Sequence, residues 1–256
     1  MRIRPVSIIA SLALGLGTVL ALPAPTQADH SWGGYHWART SNPFTLKLGD
    51  NVDSTWDGIL QTTSTDWSQS QVLDTVIVPG STRPRTCKAT TGMVQVCNAS
   101  YGNNGWLGIA GISITGGTHI TKGYVKLNDY YFSQPAYNTT AWRNLVSCQE
   151  VGHTLGLDHQ DENFDNANLG TCMDYTSNPG TNQHPNNHDY AELESIYAHL
   201  DSTTTVGAAA PSSAAMGNTP RSWGKRVEGS RAEGHSTYVR DLGNGQLVIT
   251  TVIWAR

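Results

Sequence analysis

Residues 148–159 read CQEVGHTLGLDH and combine a helical pattern with side chains that bind metals. Positions four apart lie on one face of a helix, so Gln149 and His153 can converge on one ion. Gly156 gives the backbone the freedom to leave the helix, and the turn that follows can bring His159 to the same point. Three protein ligands and one water are the open arrangement of a catalytic zinc ion.

This stretch ends the clearest helix that the sequence predicts, over residues 138–155, with Asn138 or Thr139 as its N-cap. Glu150 stands beside the two helical ligand candidates, where its carboxylate can hydrogen-bond a metal-bound water rather than the metal. One face of the helix carries Trp142, Leu145, Val146, Gln149 and His153. The pattern therefore predicts a helix that is packed on one side and carries the candidate site near its C-terminal end.

Shorter elements surround this helix. Strands are predicted over residues 44–48, 72–78, 106–114 and 119–127, and a hairpin over 87–97. Helices are predicted over residues 55–68, with Ser54 as the N-cap, and over about 188–200 after the cap signal Asn186-Asn187. A helix, several strands and further helices indicate an α+β fold, or a related α/β arrangement, built on a twisted mixed sheet.

The N-terminus has the form of an export signal. Arg2 and Arg4 precede the uncharged apolar residues 6–22, and small residues follow up to Ala28. The apolar run is short for a membrane-spanning helix. We therefore expect residues 1–28 to be removed and the mature protein to be secreted, extracellular and not bound to a membrane.

Composition limits the classes of partner. Of 256 residues, 38% are hydrophobic, which is enough for one large domain with a sizeable core. Charged residues make up 14% and the net charge is −4, with no cluster of lysine and arginine. Nucleic-acid binding is therefore excluded as a function class, and we expect a monomer.

The four cysteines, Cys87, Cys97, Cys148 and Cys172, allow three connectivities. None belongs to a C-x-x-C pair, and in an oxidising compartment two structural disulfides are the default. Cys87 with Cys97 would close a short loop. Cys148 with Cys172 would join the long helix to the segment that follows it.

The C-terminal region has a different composition. Alanine, serine and proline crowd residues 202–220, which indicates a linker. Residues 236–240 and 246–254 read as a β-hairpin, which is too small to be stable alone and should dock on the main domain. The predicted division is a signal peptide over 1–28, a main domain over 29–201, the linker over 202–220 and a C-terminal hairpin appendage over 221–256.

The central motif resembles that of the metzincin clan of zinc metallopeptidases, and within it the matrixin-like enzymes. The clan's signature is H-E-x-x-H-x-x-G-x-x-H followed by a Met-turn. This chain matches the signature at Glu150, His153, Gly156 and His159, and residues 172–175, CMDY, match the Met-turn. The order of predicted elements is similar over roughly residues 44–200.

The resemblance implies more than the spacing shows. It implies that Met173 lies beneath the metal-binding histidines and that Tyr175 is a labile metal ligand or a transition-state ligand. It also implies that residues 123–128 form the edge strand that pairs with extended substrate. The fold it implies is a metzincin-like catalytic domain with a long active-site helix and a C-terminal helix.

The chain departs from the signature at Gln149, where the clan has its first histidine. Glutamine is neutral like imidazole, but its amide oxygen is a harder and weaker zinc ligand. Three outcomes stay open. Gln149 binds zinc through its oxygen, or Asp158, His184 or His188 completes the site, or zinc binds poorly and activity is lost. The presence of Glu150 favours the first two.

The function implied by the resemblance is that of a zinc endopeptidase acting on protein or peptide substrates. One catalytic Zn²⁺ would polarise the scissile carbonyl and lower the pKa of its water toward about 7. Glu150 would act as general base and Tyr175 would donate a hydrogen bond to the oxyanion. A Cys148–Cys172 disulfide would tie the metal-binding helix to the Met-turn.

Two other functions compete with the peptidase. Glu150, His153 and His159 could form a two-histidine, one-carboxylate iron site. A secreted binding or inhibitory module could keep the peptidase fold without zinc. Calcium could bind Asp158, Asp161, Glu162 and Asp165, but their spacing matches no EF-hand and a solvated acidic loop is the simpler interpretation. The other histidines are interpreted as ordinary surface or capping residues: His30, His36, His119, His184, His188, His199 and His235.

Overall fold

The computed structural model describes residues 30–209 and 216–256. The expected signal peptide, residues 1–28, and the centre of the predicted linker lie outside these residues. Within the described ranges, no helix has both the length and the apolar character needed to cross a membrane.

A nine-stranded sheet forms the framework. Its strands are β1 (His36–Trp37), β2 (Phe44–Asn51), β3 (Leu73–Pro79), β4 (Met93–Ala99), β5 (Trp106–Thr115), β6 (His119–Asn128), β7 (Lys225–Ser230), β8 (His235–Gly243) and β9 (Gln246–Trp254). The order is β3-β2-β4-β6-β5-β9-β8-β7, and β1 pairs with the start of β6. Strands β3, β2, β4 and β6 are parallel, whereas β5 and the three C-terminal strands pair in antiparallel fashion.

The helices are α1 (Asp57–Trp67), α2 (Asp129–Phe132), α3 (Thr140–Thr154), α4 (Asn187–Ile196) and α5 (Pro220–Trp223), with a 3₁₀ turn at Pro179–Thr181. Helices α1 and α3 pack against each other and against the sheet. Their contact includes a 2.7 Å hydrogen bond between the hydroxyls of Thr63 and Ser147. The indole of Trp67 also donates to the Cys148 carbonyl at 3.1 Å. These contacts hold α3 over the inner strands.

The predicted α+β class with a mixed sheet is confirmed, as are the four predicted strands and the two long helices that flank the sheet. The last predicted helix also exists but ends at Ile196. The prediction of Ser54 as N-cap was wrong, because α1 begins after Trp56 and has no side-chain cap.

The prediction of a hairpin over residues 87–97 was also wrong. Only Met93–Ala99 form a strand, and this strand pairs in parallel with β2 and β6. The Cys87–Cys97 disulfide is present, but it fastens a loop to the end of the strand. A short disulfide loop is compatible with either arrangement, so the local sequence did not determine the strand direction.

Residues 123–128 do not form an edge strand, contrary to what the resemblance implied. They belong to β6, which has β4 on one side and β5 on the other. A hairpin joins β5 to β6, and the backbone of β6 is paired with β5 on one side and with β4 on the other. Backbone pairing at this strand is therefore already complete within the chain.

The C-terminal hairpin forms as predicted, and its docking surface is an edge of the central sheet. Strand β9 pairs with β5 along most of its length, from Trp106 opposite Trp254 to Ile114 opposite Leu247. Strands β8 and β7 extend the sheet further. The three strands therefore continue the framework, and their apolar side chains, such as Val252 and Trp254, are buried with those of the main domain.

Candidate metal centre and active site

Helix α3 begins and ends as its sequence predicts. The side-chain oxygen of Thr139 accepts the backbone N–H of Trp142 at 3.2 Å and caps the first turn. After Leu155 the chain leaves the helix at Gly156, whose φ is +102°. A Cβ at this position would lie 2.1 Å from the Tyr35 carbonyl oxygen, so only glycine fits the turn. The turn directs the following segment back toward the helix.

This turn brings His153 and His159 together. Their ring centroids lie 4.5 Å apart in an edge-to-face arrangement, and both side chains are buried. The Nδ1 of His153 lies 2.9 Å from the Leu157 carbonyl, to which it donates, so its Nε2 carries the lone pair. Burial and the neighbouring His159 lower the pKa of His153 to about 3. The ring is therefore neutral, as a metal ligand must be.

His159 has a more polar environment. Its Nδ1 lies 3.3 Å from Asp158 Oδ1 and 3.4 Å from Glu162 Oε1. Burial lowers the pKa of His159, but the two carboxylates raise it more, to about 9. A carboxylate on one ring nitrogen is the usual support of a metal-binding histidine. The Tyr175 hydroxyl lies 2.7 Å from the other nitrogen, Nε2.

Gln149 is fully buried and only half satisfied. Its Nε2 donates to the Cys172 carbonyl at 3.0 Å, which orients the amide. Its Oε1 has no hydrogen-bond partner among the described residues. A buried acceptor without a partner costs about 1–3 kcal/mol. The amide oxygen is thus held in place and available to a cation or to a donor.

Glu150, like Gln149, is a buried polar side chain with unpaired oxygen atoms in the described part of the chain. It is fully buried, and neither carboxylate oxygen has a hydrogen-bond partner within the described residues. A Cβ at Gly108 of β5 would lie 2.7 Å from its Oε1, so the glycine makes room for the carboxyl group. Burial raises the pKa of Glu150 well above its usual value, and the attraction of His159 and the nearby backbone N–H of Ala110 offset this only in part. Such a group needs a partner to be stable as a charge.

The predicted Met-turn packs against this helix. Met173 is fully buried, and a Cβ at Gly152 would lie 2.7 Å from its sulfur, so the side chain fits against the turn between Gln149 and His153. The segment after the helix pairs with this turn, because Gln160 N–H donates to the Met173 carbonyl at 2.6 Å. Cys148 and Cys172 form a disulfide that joins the two elements.

We expect removal of this disulfide to weaken both the fold and the site. Replacing Cys148 and Cys172 by alanine should lower the free energy of unfolding by about 3 kcal/mol and should also lower zinc affinity. The matched control is alanine at Cys87 and Cys97, whose disulfide spans a shorter loop away from the helix. The control should lose similar stability in denaturant unfolding but keep its zinc affinity. Equal zinc affinity in the two variants would contradict this role.

The structure therefore brings together Glu150, His153, His159 and Tyr175, and Gln149 lies one turn of α3 before His153. We call these five residues the α3 site. Two of the proposed substitute ligands lie elsewhere. His184 is paired with Asp66 at 2.7 Å and is 55% exposed, and His188 stacks on His30. Asp158 contacts His159 as a carboxylate partner.

Within the described residues, no group of three histidine, cysteine or acidic ligand atoms lying within 4.8 Å of one another includes His153. The ligand atoms of Glu150, His153 and His159, the residues of the alternative iron site, therefore do not all lie within 4.8 Å of one another in the described part of the chain. The acidic residues next to His159 that were considered for calcium, Asp158 and Glu162, are directed at its ring.

His235 also belongs to this region, and interpreting it as an ordinary surface residue was wrong. It lies at the start of β8, is 5% exposed, and stacks on Tyr175 with ring centroids 4.8 Å apart. Its Nε2 lies 3.3 Å from Glu162 Oε2. The C-terminal strands thus cover one side of the α3 site. Nothing in the residues around His235 indicates this contact.

A cavity of about 310 Å³ lies beside this covered side. It opens between α3, the C-terminal end of β9 and the loop that carries Phe164, which stacks on Tyr175. Its walls include Tyr137, Trp142, Phe164, Thr176 and Trp254. The lining of this cavity therefore combines aromatic side chains with aliphatic and polar ones.

No protein-family model and no curated protein sequence matches this chain. Among solved structures, myroilysin is similar at 11% identity and a TM-score of 0.35, over 72% of this chain and 100% of that one. High choriolytic enzyme 1, a hatching enzyme zinc-protease from the medaka fish Oryzias latipes, is similar at 9% identity and a TM-score of 0.34. That match covers 64% of this chain and 94% of the other. Both similarities are too weak to define a family.

Proposed function

We propose that this protein is a zinc-dependent endopeptidase of the metzincin type. The observation that carries the proposal is the pair of buried, unpartnered groups on α3, the Gln149 amide oxygen and the Glu150 carboxylate, next to two convergent imidazoles. An inert core would have little reason to bury these polar atoms without partners, since each is costly. A metal ion with its bound water would satisfy both groups.

The donor set fits zinc. His153 and His159 would supply imidazole nitrogens and Gln149 an amide oxygen, which leaves a fourth position open. When bound, zinc would polarise the scissile carbonyl of the substrate and lower the pKa of a water molecule. Asp158 and Glu162 would orient the His159 ring through its Nδ1.

The remaining side chains suit proton transfer and charge stabilisation. Glu150 lies on the same helical turn as Gln149, where its carboxylate can accept a proton from the attacking water and pass it to the leaving amine. Burial and nearby carboxylates raise the pKa of the Tyr175 hydroxyl, so this group keeps its proton. It can therefore donate a hydrogen bond to the oxyanion as that charge develops.

The proposed location is extracellular. The two disulfides of the structure fit an oxidising compartment. The N-terminal residues 1–28 have the pattern of a signal peptide. The proposed substrate is therefore a protein or peptide outside the cell, and the proposed acting form is a monomer.

Metal removal tests the proposed function. The mature protein, residues 29–256, should hydrolyse an unfolded protein such as reduced casein, and a zinc chelator should abolish the hydrolysis. Adding zinc back should restore it, because the ligand side chains stay in place in the folded chain. His153→Ala should be inactive under all three conditions.

A folded, zinc-supplied wild-type protein that cleaves no unfolded protein or peptide would contradict the endopeptidase. The alternative, a metzincin-like binding or inhibitory module, would then lead.

A further inference from the structure

A second group of metal-binding side chains lies at the start of β6, on elements that do not contribute to the α3 site. It consists of His36 in β1, His119 at the start of β6, and His199 and Asp201 after α4. We call these residues the four-ligand cluster. The Oδ1 of Asp201 lies 3.1 Å from His119 Nε2, 3.6 Å from His36 Nε2 and 3.8 Å from His199 Nε2. The Nε2 atoms of His36 and His199 are 3.2 Å apart.

Four of the six ligand-atom separations of a tetrahedral site are therefore 3.1–3.8 Å. Zinc holds nitrogen and oxygen ligands at about 2.0–2.1 Å, which places the ligand atoms of a tetrahedral site about 3.3–3.4 Å from one another. The four measured separations lie on both sides of that value. Three imidazoles also direct the same nitrogen, Nε2, toward a single carboxylate oxygen. A simple salt bridge to Asp201 would need only one of these three imidazole rings.

Neighbouring groups orient two of the ligands. The Nδ1 of His36 lies 2.8 Å from the Gly34 carbonyl, which can only accept, so the ring proton is on Nδ1 and the Nε2 lone pair faces the cluster. The other oxygen of Asp201, Oδ2, accepts from Nη1 and the backbone N–H of Arg39 at 2.9 and 3.2 Å. Oδ1 is therefore free to face the histidines. Outer hydrogen bonds of this kind are typical of metal sites.

We propose that His36, His119, His199 and Asp201 bind a structural zinc ion, separate from the α3 site. Three imidazoles and one carboxylate suit zinc, and four protein ligands close the coordination shell, as in structural sites. His36 is buried, so its interpretation as an ordinary surface or capping residue was wrong.

The position of the cluster indicates what the ion would do. It joins the segment that carries β1 to the central sheet and to the residues after α4, three parts of the chain that are distant in sequence. His36 is buried, whereas the side chains of His119 and His199 are 30% and 54% exposed. The exposed pair gives the ion a route from solvent. Because the ligands come from three segments, binding should oppose unfolding of the whole domain.

Zinc content tests this proposal. The double variant His119→Ala/His199→Ala removes two partly exposed side chains, so it should fold, which circular dichroism can verify. By elemental analysis it should bind one zinc per chain fewer than the wild type. It should also lose the rise in Tm that zinc gives the wild type through the cluster. His184→Ala is the control, because the side chain of His184 is as exposed as that of His199 and lies outside the cluster.

Cobalt provides an independent measurement on the unaltered chain. Co²⁺ added to metal-free wild-type protein should give the strong visible absorption of a four-coordinate ion, and His199→Ala alone should reduce it. Equal zinc content in the double variant and the wild type, with equal Tm in zinc, would overturn the proposal. Zinc content and stability are read here, not hydrolysis, so the result does not depend on the activity of the α3 site.

Discussion

Replacing Glu150 by glutamine should lower kcat/KM for peptide hydrolysis by about 10²–10⁴-fold, the usual contribution of a general base. Glutamine has the same shape but cannot accept the proton of the attacking water. Zinc content should stay unchanged, because the ligands are other residues. The free energy of unfolding should stay equal or increase, since the substitution removes a buried carboxyl group whose oxygens have no partner among the described residues.

Glu194→Gln is the control for this variant, because it makes the same chemical change at an exposed position on α4. It should keep full activity and stability. Hydrolysis by Glu150→Gln within tenfold of the wild type, at equal zinc content, would show that Glu150 is not the base. The buried carboxylate would then need another explanation.

Two different replacements of Gln149 should change the zinc affinity of the α3 site in opposite directions. Gln149→Leu removes the amide oxygen and should weaken zinc binding by at least about 10–100-fold, with loss of hydrolysis. Gln149→His supplies an imidazole, a better ligand for zinc than an amide oxygen, and should strengthen binding. The expected order of affinity is therefore histidine, glutamine, leucine.

These affinities are best measured by competition with a chromophoric chelator in the His119→Ala/His199→Ala background, which removes two ligands of the four-ligand cluster. Gln71→Leu is the control, because it removes an exposed glutamine far from the site. Unchanged zinc content and function in Gln149→Leu would mean that Gln149 is not a ligand. A binding or inhibitory module would then be the better interpretation.

The α3 site shows what could be predicted from local sequence. The start and end of α3, the turn at Gly156 and the meeting of His153 with His159 all depend on residues within the single segment 139–159. Helical periodicity and glycine's backbone freedom act over that range. The position of Met173 against the helix came from the resemblance, and the fit at Gly152 agrees with it.

The errors have a common physical origin. Residues 87–97 were predicted as a hairpin and residues 123–128 as an edge strand, yet β4 is parallel to its neighbours and β6 lies between β4 and β5. A strand's own residues determine its two faces, but its neighbours depend on which other strands reach its edges. That choice is made by burial across the whole sheet.

Local sequence patterns predicted most helices and strands of this protein and the motif on α3. The pairing of β9 with β5 and the contact of His235 with Tyr175 depend on the folded chain as a whole. The folded chain also brings the ligand atoms of His36, His119 and Asp201 within 4.8 Å of one another. Such contacts join segments that are far apart in the chain. They form because assembly of the sheet buries apolar faces and pairs the backbone groups of neighbouring strands. No local pattern of residues encodes that outcome.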